Sequence, residues 1–382
     1  MISTKAQGNK YNLQELAGAF GDLGTLIPFL MGYIILNQMN PVGILTVFGF
    51  FKIIMGLYYK TPIPVQPMKL IGAAVISHPG AITPGAVWVS GLFMGILWLI
   101  MGLTDAVTWI SRITSRPVIQ GLILGLGLGF MREGIKMMET DLLLAGVTAI
   151  LTFILLSQQR IPAMLLLLGS GFILAIVKEP VLLKELDKLS FRFQLPQFTL
   201  YQLRWEDFLT GILVLSIPKV ALTLSNAIIA IVEENNTLFP DRPITVRTVA
   251  IDHGIMNLIG ASFGGVPMCH GAGGMAGHVR FGARTGGALV ILGSLLLFTG
   301  LFLADSIAIL FKLFPRPILG VILLFGGLEL AVRIPGIQGS RFQKGDLYVM
   351  ILTAGISLVN IGVGYLVGLF LWHAFQGKWL KV

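Results

Sequence analysis

Pro64-Val65-Gln66-Pro67-Met68-Lys69 and Gly265-Val266-Pro267-Met268-Cys269-His270 look alike and lie far apart in a chain of 382 residues. Each carries Pro-Met and then enters a short run of small and apolar residues. A proline-bearing break followed by a short helix, once in each half of a largely apolar chain, is the pattern of two half-helices meeting at a buried site. A helix N-terminus presents unpaired N–H groups and about half a positive charge. Two of them aimed at one point form an anion site without any charged side chain.

The composition fits that reading. Apolar residues make up 55% of the chain and charged residues 12%, far from soluble proportions. Apolar runs of about 20 residues recur from end to end, so the chain reads as an all-α integral membrane protein. The stretch from Met1 to Lys10 is polar, and no cleaved signal peptide is expected. The single Cys269 excludes an intrachain disulfide and a cysteine-based metal cluster. The net charge of +9 is explained by basic loops facing the cytoplasm, not by nucleic acid.

Candidate spans in the first half are 15–36, 42–58, 67–76, 84–103, 118–137, 142–156 and 162–177. In the second half they are 205–232, 246–263, 267–279, 286–302, 318–332, 347–361 and 364–375. This gives about fourteen segments, seven plus seven, with the third of each half too short to cross as a helix. An odd number per half makes the repeat inverted. The expected organisation is an N-terminal segment 1–14, a first repeat 15–178, an amphipathic interfacial connection 179–204, a second repeat 205–376 and a tail 377–382. Most basic residues, among them Lys5, Lys10, Arg280, Arg284, Lys378 and Lys381, fall on the N-terminal side, which puts both termini in the cytoplasm.

Small residues and buried charges narrow the site. Gly121, Gly125, Gly127 and Gly129 read as helix packing. Gly271, Gly273 and Gly274 follow the Pro267 break, where a bare backbone lets an anion approach the N–H groups. Ionisable residues inside the spans include Asp22, Lys52, Lys69, Glu133, Lys219, Asp252, His253, His270 and Glu329. Lys52 reads as snorkelling, Glu133 as a surface pair and Glu329 as a partner of Arg333. Asp252 and His253 read as structural. Asp22, Lys69, Lys219 and His270 suggest a site that admits an oxyanion and handles a proton; an internal pair such as Asp22 with Lys69 is compatible with that.

Phe20-Gly21-Asp22-Leu23-Gly24-Thr25, the Pro64 motif, Leu222-Thr223-Leu224-Ser225-Asn226, and Pro267 to Gly274 with Arg280 to Thr285 resemble the molybdate transporter family, type 1, a branch of the sulfate permease superfamily. The resemblance implies a core and a gate domain, uptake of the tetrahedral dianion molybdate, and two half-helices meeting at the midplane. It implies a substrate site of Gln66, Met68, Lys69, Met268, Cys269, His270 and Gly271, completed by Asp22, Thr25, Thr223 and Asn226. Lys219 and Ala221 stand where the family usually has glutamine and proline, and Lys219 joins the site as an added cation.

The expected function is a secondary transporter of the cytoplasmic membrane that imports molybdate by alternating access. Protons are the expected coupling ion, carried through Asp22 or His270, whose ordinary pKa is near about 6.5. No cofactor, metal or nucleic acid is expected. Membrane lipid is the surrounding partner, and a homodimer is left open. Tungstate and sulfate are alternative anions, and a passive anion channel is the reading from another class. HExxH does not occur, which disfavours an intramembrane metal-dependent hydrolase.

Overall fold

The computed structural model describes residues 8–77, 80–158, 163–178, 189–312, 315–332 and 344–377, together with Pro180, Val181, Lys184, Asp187 and Trp379. Helix α1 (Leu13–Ala19) starts at Asn12, whose side chain accepts from Glu15 N. The chain then bends by 43° around Gly21 and Asp22 into α2 (Leu23–Met31), which contains Pro28 and widens into a π-helical turn at Gly32–Leu36. Close packing makes the bend: a Cβ on Gly18 would strike Ala283, and one on Gly21 would strike the backbone of Gly277 and His278.

Helix α3 (Pro41–Tyr59) is capped by Asn40 and opened by Pro41. Strand β1 (Gln66–Pro67) leads into the short α4 (Lys69–Ser77). Then come α5 (Pro84–Leu103), α6 (Ala106–Ile113), α7 (Arg116–Met138), α8 (Leu142–Gln158) and α9 (Ala163–Lys178). Residues 189–199 form neither helix nor strand, and Arg192 and Gln194 donate backbone N–H groups to the carbonyls of Phe302 and Leu301. Phe191, Phe193, Leu195 and Phe198 are exposed on this stretch.

The next span is irregular. It comprises α10 (Trp205–Leu209), a π-helical stretch at Thr210–Ser216, α11 (Ile217–Leu222), a second at Thr223–Ala230, and α12 (Ile231–Leu238). Pro218 removes one backbone donor inside it, and wide turns flank the break. Helix α13 (Val246–Ser262), β2 (Met268–Cys269), α14 (Ala272–Arg280), α15 (Gly287–Phe302), α16 (Ile307–Lys312), α17 (Arg316–Val332), α18 (Lys344–Ser357) and α19 (Ile361–Gln376) complete the described chain.

Helices α3 and α15 pack side by side, as do α5 with α13 and α7 with α17. Gly121 and Gly125 lie against Met350, Thr353, Ala354 and Ser357 of α18, and Gly127 carries the carbonyl that Gly327 approaches. These are the expected packing contacts; Gly129 faces open space. By length and apolarity alone, three described helices can cross a membrane, or five if each bent pair counts as one span. The remaining apolar segments are shorter or broken, so helix length by itself does not carry a fourteen-span count.

Candidate functional site

The two proline motifs meet. Strands β1 and β2 pair antiparallel, with Gln66 opposite Cys269 and Pro67 opposite Met268. Met68 N donates to the Pro267 carbonyl at 2.8 Å. This ladder joins the lead-ins of α4 and α14, whose first turns each carry N–H groups without helical partners. Met68, Met268 and Cys269 are buried there, and the Cys269 thiol lies 4.0 Å from the Pro67 carbonyl. Proline supplies no N–H, which keeps the ladder to one short rung on that side.

Asn257 of α13 clamps the ladder and was not among the expected site residues. Its Oδ1 accepts from Met268 N and its Nδ2 donates to the Met268 carbonyl, both at 2.8 Å. The side-chain amide thus acts as a second strand. Its signal in the sequence was a lone amide inside an apolar span.

Gln66 occupies the backbone that an anion would approach. Its Nε2 donates to Thr25 Oγ1 at 2.8 Å, and Thr25 in turn donates to the Asp22 carbonyl at 2.9 Å. That relay fixes the amide orientation, because the threonine lone pair faces a donor. The Gln66 carbonyl is left buried without a hydrogen-bond partner. Cβ atoms on Gly271 or Gly274 would collide with the Gln66 amide, and one on Gly273 would collide with the Phe130 ring. The bare backbone expected at this glycine cluster is therefore present, but in this conformer side chains rest against it. Asn226 approaches Gly271 from the irregular span, its Nδ2 being 3.7 Å from where that Cβ would lie.

Lys69 begins α4. Its ammonium is buried, has no hydrogen-bond partner, and sits 3.5 Å above the centre of the Phe130 ring. Thr223 Oγ1 and Asn226 Oδ1 are also buried without partners. Lys219 is 1% exposed and interacts electrostatically with Lys69 and Cys269. The two lysines, the bare half-helix ends and the Thr223 hydroxyl are donors that an anion with several oxygen acceptors would satisfy, whereas the orphan Gln66 Oε1 and Asn226 Oδ1 are acceptors that such an anion would not.

Asp22 lies to one side of this cluster. Its Oδ2 receives Lys52 Nζ at 3.1 Å, and both side chains are fully buried. His278 Nε2 stands 3.5 Å from the same oxygen, while His278 Nδ1 bonds to the Gly18 carbonyl at 2.7 Å. The snorkelling read for Lys52 is thus overturned: it points inward from the middle of α3, toward the acid. The partner of Asp22 is Lys52, where Lys69 was the expected example. Glu133 does make a surface pair, with Lys136 at 3.4 Å. The Glu329–Arg333 pairing lies outside the described residues.

Asp252 and His270 form a second buried group. His270 Nε2 is 2.9 Å from Asp252 Oδ1, and its Nδ1 is 2.7 Å from the Pro64 carbonyl. Tyr59 donates to Asp252 Oδ2. His253 packs edge-on to His270, with ring centres 4.9 Å apart; its Nδ1 stands 3.9 Å from Asp252 Oδ1, and neither ring nitrogen makes a hydrogen bond. Among the described residues this is the one trio spaced like metal ligands. Both ring nitrogens of His270 and both oxygens of Asp252 are already engaged, so the donor set is committed to hydrogen bonds.

The profile of the family described as "Molybdate transporter of MFS superfamily" matches residues 14–130 and 211–330. The chain is 32% identical to molybdate transporter 2 of Arabidopsis thaliana, over 91% of this chain and 83% of that protein. It is 27% identical to molybdate transporter 1 of the same plant, covering 96% and 90%, and 26% identical to molybdate transporter 1 of Chlamydomonas reinhardtii, covering 93% and 90%. The fold resembles the transmembrane domain of the cyanobacterial bicarbonate transporter BicA, with a TM-score of 0.58 and 15% identity over 92% of this chain and 97% of that one. It also resembles murine Slc26a9 in the inward-facing state, with a TM-score of 0.60 and 14% identity over 100% and 70%.

Proposed function

Because the chain belongs to the molybdate transporter family, a family of membrane transporters and not of enzymes, we propose that it imports molybdate across the cytoplasmic membrane by alternating access. The observation that carries this reading is the antiparallel pairing of β1 with β2, which puts two half-helix starts beside the unpartnered Lys69 ammonium. Two dipole ends supply about one unit of positive charge to a dianion. Lys69 and Lys219 neutralise more. Gln66 and Asn226 through their amide N–H groups and Thr223 through its hydroxyl would offer neutral hydrogen bonds to tetrahedral oxygens, while Thr25, whose own proton goes to the Asp22 carbonyl, would orient Gln66. Met68, Met268, Cys269, His270 and Gly271 form the walls. The Gln66 amide moves off Gly271 and Gly274 when the anion enters.

The architecture we infer is a fourteen-segment, seven-plus-seven inverted repeat with core and gate domains, both termini cytoplasmic. Its support is the packing of α3 with α15, α5 with α13 and α7 with α17, each joining a first-half segment to a second-half one. Rocking of one domain against the other exposes the midplane site to each side. An inside-negative potential opposes dianion entry by about 2.3 kcal/mol per charge per 100 mV. Accumulation therefore needs a coupled cation; the proton is our choice, with Asp22 and His270 as the two buried candidates to carry it.

Uptake of labelled molybdate into proteoliposomes, with and without an inward proton gradient, tests the function. The reading expects accumulation above the outside concentration, competed by tungstate. Gradient-insensitive equilibration would make the protein a passive channel, and preferential competition by sulfate would make it a sulfate carrier.

A further inference from the structure

Two buried groups could carry the coupling proton, and their hydrogen bonds differ. At Asp22 the carboxylate already has a lysine counter-ion at 3.1 Å. At Asp252 the partner is an imidazole whose proton content is fixed by its neighbours. The Pro64 carbonyl only accepts, so His270 Nδ1 carries a proton to make its 2.7 Å contact. The 2.9 Å contact between Nε2 and Asp252 Oδ1 then needs one more proton, on one atom or the other. The pair thus holds a single shared proton and is electrically neutral in this conformer. Without it, a bare nitrogen would face a carboxylate.

The pair also has an entrance and an output. Tyr59, which donates to Asp252 Oδ2, lines a cavity of about 280 Å³ together with Arg242, Thr245 and Thr248. His270 immediately precedes Gly271, the cap of α14, and its Nδ1 bond ties this strand to Pro64, which leads into β1. The proton therefore sits between a cavity and the link that joins the two half-helix lead-ins. Surrounding titratable groups are Tyr59 and Lys52 of α3, His253 of α13, Cys269 of β2 and Lys219 of α11. Lys52 acts electrostatically on His270, and Lys219 on His253.

We propose that the Asp252–His270 pair, served by Tyr59 from the cavity, is the proton-coupling site, and that Asp22–Lys52 is a fixed structural pair. Tyr59 passes its hydroxyl proton to Asp252 and takes one from cavity solvent; rotation of the carboxyl then turns the proton toward His270 Nε2. Loss of that proton leaves one uncompensated negative charge next to the start of α14, which repels a bound dianion. Proton and anion therefore strengthen each other's binding, as symport requires. This inference rests on the transport reading above and adds Asp252 and Tyr59 to it.

The test is the affinity of purified full-length protein for molybdate across pH 5 to 9. With one linked proton, the wild type should lose about tenfold in affinity per pH unit above a break. Asp252→Asn should flatten that slope, while the double variant Asp22→Asn with Lys52→Met, which removes both charges of the structural pair, should keep it. Tyr59→Phe guards against misfolding of the first variant: the carboxylate loses a donor to its charged form, so the break should move to higher pH. A slope retained in Asp252→Asn, or lost in the Asp22→Asn with Lys52→Met double variant, would overturn the assignment, as would an unmoved break in Tyr59→Phe. Measurable binding without any slope in the wild type would defeat the coupling site and leave the anion site standing. No binding at any pH would defeat the anion site itself.

Discussion

Lys52→Met should destabilise this protein far more than a surface lysine replacement. The ammonium and the Asp22 carboxylate are 3.1 Å apart with no exposure on either side. At an effective dielectric of about 20, a contact of that length is worth about 5 kcal/mol of attraction. Removing the lysine leaves a buried carboxylate with Oδ1 already unpartnered and only the His278 ring beside Oδ2. Breaking such a pair from one side costs about 3–5 kcal/mol, a loss of roughly a hundred- to several-thousand-fold in the folding equilibrium. The double variant Lys52→Met with Asp22→Asn removes both charges and should recover most of the loss. The assay is reversible unfolding in mixed micelles for the wild type, both single variants and the double variant. A single-variant cost within about 1 kcal/mol of wild type, the range of exposed pairs, would refute the claim that this pair is a buried tie between α2 and α3.

Lys69→Ala should behave oppositely: its ammonium contacts a ring but no acid. Stability should change by no more than about 2 kcal/mol, while molybdate affinity falls at least tenfold by titration calorimetry. Asn257→Ala should strip both hydrogen bonds from Met268 and cost about 1–3 kcal/mol for each group left unpaired; unfolding in the same micelles checks it. Gly274→Ala should push the Gln66 amide out of place, lowering uptake in proteoliposomes at matched protein content, whereas Ala at Gly129, which faces open space, should leave uptake at the wild-type rate.

The meeting of the two Pro-Met motifs was legible because it depends on local signals. Proline positions, short apolar runs and their recurrence in each half specify where strands end and half-helices begin. Buried partners were harder, since they depend on which faces turn toward each other. Lys52 lies on a span that reads as ordinary, and only the bend at Gly21 brings Asp22 to it. Tyr59 ends its helix and carries no signal in the sequence of the Asp252 that α13 brings beside it. The filling of the glycine cluster by Gln66 and Phe130 was also hidden, because a bare backbone in the sequence does not say what rests on it. The bend itself could be anticipated from Gly21, Gly24 and Pro28, and the structure has it at 43°.

The central claim is that an oxyanion binds between the starts of α4 and α14. Tungstate is a tetrahedral dianion with strong scattering, so its position can be read directly from density in the purified protein bound to it. The account predicts one peak between Lys69 and Gly271, within hydrogen-bond distance of half-helix N–H groups, with the Gln66 amide displaced from Gly274. A peak elsewhere, such as the cavity of about 460 Å³ lined by Thr83, Arg204 and Asp207, with Gln66 still resting on Gly274, would contradict it.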